Sequence, residues 1–590
     1  MATFMLAQWN AVLGQDLTNL DWSIIAAFLL LTTLVAIASK GRQSGVRDFF
    51  LANRGLPWIL VCISLMATEI SAVGFVGVPY YAYSGSLTYL QLAIGAIIAR
   101  FIIAYYFVPA FYEQETYSPY HFVGRRLGLG AERTTGILFM IGAILGQGVR
   151  VFAIASVLYF ITGMPIGWAI VGIAAFSALW AFIGGIRTVV WTDLVQFIVM
   201  GAAALAAGLF LVFHTPGGSA EIVEQARNAD KLRVWDFTID QVVVFTMWTG
   251  LLGSTFNTLA SHGADHMNVQ RILCCSGPRP ARLAVLWSSL SQAFVLALLC
   301  IGLALYAYYQ SPEHPLLSSP AGEHNIFPIF IATALPTGLK GLLIIGLLGA
   351  AMSSLDSAIA ALSQTTVRAF FRDPRPDQPS AEKRHVYLSR FFILMWSVVV
   401  CGTALYVDSI TVFGDLVSLA FKTTSLTYGA LLGALLLALL VKKRDGRGIL
   451  FAAPIAVLTA FGISWHQFWS DWVIFVGIGV ILVFWFYALF KEADSLAMVT
   501  DHHEYVRRAW YILLAEFPRT IWVLAGCALV YYLHSGEFYE YLTGGEMGEI
   551  AWPWFLPMGI GITVVLGYLL GRPVVHGVSP FGVPPSESSA

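Results

Sequence analysis

The chain has 590 residues, 58% hydrophobic and 11% charged, with a formal net charge of −1 and a mean hydropathy of +0.74. A soluble protein carries about 25% charged residues, so most of this surface must be solvated by lipid. The near-neutral charge excludes a nucleic-acid partner, which needs a basic face, and six cysteines, two of them adjacent (Cys274, Cys275), make no disulfide framework.

Apolar runs of about 20 residues mark membrane helices. In chain order they fall near 22–40, 56–83, 87–112, 133–161, 165–184, 186–213, 241–262 and 281–308. They continue near 338–371, 383–406, 410–441, 447–468, 471–491, 518–535 and 551–571. The expectation is therefore an all-α polytopic membrane protein with about 15 transmembrane helices. The first 21 residues hold no Lys or Arg, so the first span reads as an uncleaved anchor rather than a signal peptide. Basic residues concentrate in alternate loops, among them Arg125, Arg126, Arg372, Lys383, Lys442, Lys443, Arg507 and Arg508. The positive-inside rule then sets the N-terminus outside and the C-terminus inside.

Setting aside the first span and the last four leaves ten, which divide into five-helix sets at 56–213 and 241–441. Because five is odd, the second set is upside down relative to the first, an inverted repeat of the kind secondary transporters use. Residues 1–55 are then an anchor helix and first cytoplasmic loop, 214–240 an extracytoplasmic loop, and 442–590 accessory helices and a tail. Such folds place their site where the first helix of each half is interrupted. The first helix of the first half holds Glu69, Ser71, Gly74, Gly77 and Pro79 at membrane depth. The first helix of the second holds Gly250, Gly253, Asn257, Ser261 and His262. Both are expected to be broken; close helix packing is the other use of such glycines.

Ionisable side chains at mid-bilayer cost about 2.5–3.5 kcal/mol on insertion scales and mark function or a paired structural role. Glu69, Arg150, Asp193, Asp356 and Lys422 qualify. Glu69 and Arg150 are expected to form an internal ion pair, with Arg150 available to a substrate carboxylate through its planar donor fork; a permanent strut is the alternative. Lys422, followed by Thr423, Thr424 and Ser425, is expected in a second helix break with a structural or gating role. Arg100 reads as snorkelling to a cytoplasmic end, without function. The run GLLGAAMSSLDSAIAALSQTT puts Ser353, Ser354 and Ser357 on one helix side, with Ala350 a turn earlier. Such neutral oxygens suit a hard monovalent cation rather than a soft metal, unless the small residues serve only packing.

At these residues the chain resembles the sodium:solute symporter family, over about residues 20–490. The resemblance is carried by ATEISAVGFVGVPYYAY, ETYSPYHFVGRRLG, GGIRTVVWTDLVQ, DHMNVQR, AAMSSLDSAIAALS and SLTYGALLGALLLALL, in that order. It implies the five-plus-five inverted-repeat fold, Na+ as coupling ion, and ion ligands at the carbonyls of Ala67, Ile70 and Ala350 with the hydroxyls of Ser353 and Ser354. It places Glu69 near the gate and Ser71 beside it. Gly74 falls where the sugar-transporting branch has a glutamine, which speaks against hexose. GVPYYAYSG is closer to the iodide, monocarboxylate and vitamin branch, and with Arg150 this leans toward an organic anion. Asn257, Thr258, Ser261 and His262 form the opposite wall of the expected solute site, with Gln91 contributing. For His262 the alternative is a helix-end histidine bonded to backbone.

The expected activity is thus sodium-coupled import of a small solute across a plasma membrane, with a bacterial inner membrane favoured by the brief loops. A neutral solute such as a sugar, proton coupling through Glu69, and a transport-dead membrane sensor are the competing readings. No nucleophile–base pair or metal-ligand set points to an enzyme.

Overall fold

The computed structural model describes residues 17–41, 45–240, 243–310, 325–371, 379–410, 416–441, 445–465, 472–497, 502–534 and 551–572. The regular structure among these residues is helical, without a strand. Ten helices are long and apolar enough to cross a bilayer, or eleven with the bent pair Trp58–Glu69 (α2) and Ala72–Ser84 (α3) taken as one span. The first is Asn19–Ser39 (α1).

The difference from fifteen lies in four places. Expected spans 165–184 and 186–213 are merged in one helix, Ile166–His214, kinked at Gly185. A straight helix of 49 residues would be about 74 Å long, more than twice the hydrocarbon thickness. Gly185 adopts φ +59°, and a Cβ there would meet Phe49 O at 2.3 Å, so only glycine serves at this kink. From residue 249 on, the expected span 241–262 is a series of short helical pieces: a π-helical turn at Thr249–Gly253, an α-helix at Ser254–Leu259, and a second π-turn at Ala260–Ala264. Segment 471–491 yields only the shorter apolar stretch Val473–Leu489, and 518–535 is the later part of helix His502–His534, which is not among the ten.

The chain divides into two compact units, Met1–Tyr117 with Met140–Thr424, and Ser118–Phe139 with Ser425–Ala590. In the first, the remaining helices that matter below are Leu92–Ile102 (α4), Leu129–Thr162 (α5), Ile166–His214 (α6) and His266–Ile272 (α7). They are followed by Ser291–Gln310 (α8), Leu339–Phe370 (α9) and Leu416–Leu440 (α10); α5 and α10 run on into the second unit. Helix α9 is buried along nearly its whole length and packs on α6. Its start is fixed by the first span: Asp21 Oδ1 accepts from Gly338 N at 2.8 Å and Gly341 N at 2.9 Å, capping orphan amides at a helix N-terminus. The second unit contains Ile449–Trp465 (α11), Trp472–Ala497 (α12), His502–His534 (α13) and Phe555–Leu570 (α14). They share a core that includes Ile455, Ile474, Val523 and Leu566.

Helix α4 meets the π-turn at Thr249–Gly253 through glycine: a Cβ on Gly95 would lie 2.2 Å from Gly250 O, and one on Gly250 would lie 2.6 Å from Gln91 O. Gly250 therefore serves close packing rather than a helix break. Gly95→Val is expected to destabilise the protein by about 1–3 kcal/mol, read as a lower thermal midpoint in detergent. Gly201→Val, with open space around its added carbon, is the control expected to melt like wild type.

Candidate functional site

Helix α2 stops at Glu69. Ile70 leaves the helical region at φ −78°, ψ 76°, and Ser71 is extended and caps α3 by accepting Gly74 N at 3.3 Å. The two helices meet at 61°. Ser71 N donates to Glu69 O at 2.9 Å rather than to Ala67 O, as an unbroken helix would require. The last carbonyls of α2 are thus freed inside the membrane, where they need other partners. Helix α9 supplies them. Ser353 Oγ donates to Ala67 O at 3.0 Å and to Ala350 O at 3.3 Å, and Ser354 Oγ donates to Thr68 O at 3.4 Å.

Four of the five oxygens expected to hold sodium therefore stand at one crossing, the exception being Ile70 O, with Thr68 O beside them. The donors are neutral carbonyl and hydroxyl oxygens, which match a hard monovalent cation. No group of three or more His, Cys, Asp or Glu side chains able to hold a metal occurs among the described residues.

Beside the break, the carboxylate of Glu69 is paired with Arg100, not with Arg150. Gln292 Nε2 donates to its other oxygen at 3.1 Å, and His262 Nε2 lies 3.9 Å away. Arg100 also donates to Ser288 Oγ at 3.2 Å, Ser291 Oγ at 3.3 Å and Ala96 O at 3.0 Å. Its side chain is fully buried while that of Glu69 is 20% exposed. This corrects two expectations. Arg100 does not snorkel, because the helical run continues to Glu113, thirteen residues or about 20 Å farther on. Arg150 has no ion pair or hydrogen bond to another described residue; it is half-buried on α5 between Val149 and Ala153, which pack on Val73 of α3.

A second polar cluster lies behind the serines. Arg271 of α7 is fully buried. It donates to Asp193 Oδ2 at 3.0 Å, Ser64 Oγ at 2.7 Å and Met267 O at 2.9 Å, and to Ser357 Oγ. It also reaches Ser353 O at 3.4 Å, so this cluster shares a residue with the carbonyl crossing. Ser357 Oγ donates to Asp356 Oδ1 at 3.1 Å. Asp193 Oδ1 and Asp356 Oδ2 have no hydrogen-bond partner among the described residues.

The other expected site residues separate. Ser71 and Gly74 border the break, and a Cβ at Gly74 would meet only Ser71 Oγ, at 3.8 Å. His262 is bonded to Ser261 Oγ at 2.9 Å rather than to backbone, and Ser261 also donates to Thr258 O at 3.4 Å. Asn257 is half-buried on the same short helix as Thr258, which is buried. The side chain of Gln91 is bonded within the protein: its amide donates to Thr88 O and Phe245 O, each at 3.2 Å, and its carbonyl accepts Asp236 N at 3.0 Å. Lys422 is not in a helix break, for α10 runs unbroken past it and the hydroxyls of Thr423 and Thr424 bond back to Leu419 O and Ala420 O. The expected break in the second half is likewise absent over Gly250–His262, where the backbone stays helical through wide turns until Asp265.

The model of the sodium:solute symporter family matches residues 49–455, well over half of the chain. This chain belongs to the sodium:solute symporter family. Sodium is its coupling ion, and the family and the relatives below are transporters, not enzymes. A putative sodium-dependent multivitamin transporter of Drosophila melanogaster is 26% identical over 76% of this chain and 75% of its own. The human sodium/iodide cotransporter is 26% identical over 73% and 67%. The bovine sodium-coupled monocarboxylate transporter 2 is 24% identical over 90% and 85%. Among solved structures, a Na+-coupled sialic acid symporter in a substrate-bound outward-open state superposes with a TM-score of 0.68 at 21% identity, covering 77% of this chain and 93% of that one. That likeness supports an all-helical transporter fold for this chain.

Removing one partner of a buried ion pair costs about 3–5 kcal/mol because the other charge is stranded. Arg271→Met is therefore expected to lose the monodisperse folded fraction in size-exclusion chromatography. Arg271→Met combined with Asp193→Leu should recover part of it; equal behaviour of single and double variants would contradict the pairing.

Proposed function

We propose that this symporter imports a small organic anion of the monocarboxylate kind together with sodium, by alternating access of a five-plus-five inverted-repeat core oriented N-out and C-in. The observation that carries the reading is the helix break at Ile70, whose freed carbonyls are met by Ser353 and Ser354. In the proposal Na+ enters among Ala67 O, Ile70 O, Ala350 O and the two hydroxyls. Each hydroxyl then turns its oxygen to the ion instead of donating to a carbonyl. Sodium there ties α2 to α9 and sets the start of α3, where Ser71 and Gly74 leave room for solute. Differential affinity of the ion for that arrangement is what couples the two ligands.

The carboxylate of the solute is assigned to Arg150. Arg100 is already engaged by Glu69, whereas Arg150, whose chain neighbour Val149 shares a core with Val73 of α3, lacks a protein partner among the described residues. Thr258, Ser261 and His262 form the opposite wall, with Asn257. Glu69, held by Arg100 and Gln292 and close to His262, acts as the gate. This reading keeps the organic anion and drops Gln91 and Lys422 from the solute contacts. The relatives named for monocarboxylate, iodide and vitamin transport support an anion over a hexose.

The test is uptake into proteoliposomes. An inward sodium gradient should drive accumulation of a labelled short monocarboxylate but not of glucose, and a potassium gradient should drive neither. A charge-assisted hydrogen bond contributes about 1.5–3 kcal/mol, so Arg150→Gln should raise the KM for the anion by about tenfold or more while sodium still stabilises the protein. Sodium-driven uptake of neutral solute alone, unchanged by Arg150→Gln, would overturn the assignment.

A further inference from the structure

Residues 233–240, between α6 and the π-turn at Thr249–Gly253, have no regular structure, yet large apolar side chains recur at every second position. Trp235, Phe237 and Ile239 are 53%, 64% and 81% exposed. Of the residues around them, Val234, Asp236 and Asp240 are half-buried, and Thr238 is exposed but polar. A period of two is that of an extended chain, whose successive side chains point to opposite faces. Trp235 and Phe237 accordingly stack on one face, with ring centroids 6.4 Å apart. The three side chains form an apolar ridge, and a contiguous exposed patch of this kind marks a contact surface.

The ridge is pinned from behind. Asp236 N donates to Gln91 Oε1 at 3.0 Å, and Asp236 O accepts Met247 N at 2.7 Å. Asp236 Oδ1 accepts Thr238 N at 3.0 Å, and Phe237 O accepts Trp248 Nε1 at 3.3 Å. These bonds hold the ridge level with the first turns of the apolar run Leu87–Glu113. Trp248 and, one turn on, Leu252 are also exposed, so the ridge continues into the apolar outer side of the helical pieces that follow. Backbone without regular structure is not tolerated where lipid faces it inside the hydrocarbon core. The headgroup–acyl boundary does accept such a segment, and it is where interfacial segments bury Trp, Phe and aliphatic side chains.

We propose that residues 235–239 are a membrane-interface anchor, with the side chains of Trp235, Phe237 and Ile239 inserted at the headgroup–acyl boundary of the surrounding bilayer. Lipid is the partner because the ridge is continuous, through Trp248 and Leu252, with a surface that lipid already covers. The anchor bears on the transport core. Just before the ridge, Lys231 Nζ donates to Tyr83 O at 2.6 Å and Gly85 O at 3.1 Å, and its ammonium lies 4.3 Å from the ring centroid of Tyr306 on α8. The segment that rests on the bilayer therefore also holds the end of α3, the part of the broken helix that follows Ile70.

The test uses the full-length protein in phosphatidylcholine liposomes, with the two cysteines that are not buried replaced as Cys300→Ser and Cys401→Ser. Phe237→Cys, Thr238→Cys and Ile239→Cys are introduced one at a time and spin-labelled. Collision of each label with oxygen, which concentrates in lipid, is compared with collision with a water-soluble nickel chelate. The labels at 237 and 239 should favour oxygen, and the label at 238, out of phase with the ridge, should favour nickel. Should Phe237→Cys fail to fold, Ile239→Cys carries the test, since that side chain is the most exposed of the three. Nickel-favoured collision at 237 and 239 would leave the ridge in water, and exclusion of both probes would mean that protein covers it. Either result, or the same oxygen-to-nickel ratio at all three positions, would overturn the proposal.

Discussion

Everything in the transport core depends on one broken helix. Turning the chain by 61° at Ile70 frees backbone carbonyls where lipid offers no hydrogen bond, and each unsatisfied group costs several kcal/mol there. The first unit meets this constraint with Ser353 and Ser354, in line with the burial of α9 along nearly its whole length and the small residues at the crossing. The same oxygens that satisfy the break are neutral, polarisable and convergent, which is what a sodium ion needs in place of water. In the proposed reading structural repair and ion binding are one feature, sodium substituting for the serine hydrogen bonds at the break.

The buried charges are organised around that crossing. Glu69 sits between Ala67 and Ile70 in the chain, and its side chain is held by Arg100 and Gln292 from α4 and α8. Arg271 reaches the carbonyl of Ser353 while pairing with Asp193 on α6. A shift of either α2 or α9 must therefore disturb a largely buried ion pair. Networks of this kind favour discrete arrangements over graded ones, and that is the property alternating access requires.

The membrane class and the first helix break could be read from sequence because they rest on local signals: apolar length, and glycine, proline and polar residues at mid-span. The serine run on α9 was legible for the same reason. Pairing was not. Arg100 lies thirteen residues from the end of its helical run, and its partner is 31 positions away; Arg271 draws on residues 78 to 207 positions distant. Nothing in a single chain specifies which of several buried cations a carboxylate meets, so Arg150 was matched to Glu69 in error. The glycines of 241–262 signalled a break but serve packing, since Gly250 touches Gln91 and Gly95. Composition cannot separate those uses. The mid-helix position of Arg100, well short of the end of the expected span 87–112, was a usable signal.

The central claim is that sodium binds where Ser353 and Ser354 bridge the break. Its most direct test is the thermal stability of the purified protein in sodium chloride against choline chloride at equal ionic strength, for wild type and Ser353→Ala. At 100 times its dissociation constant a specific ion stabilises by about 2.7 kcal/mol; wild type should show a sodium-specific gain approaching this, and the variant should lose it while remaining folded. An equal sodium response in both proteins would place the ion elsewhere and contradict the account.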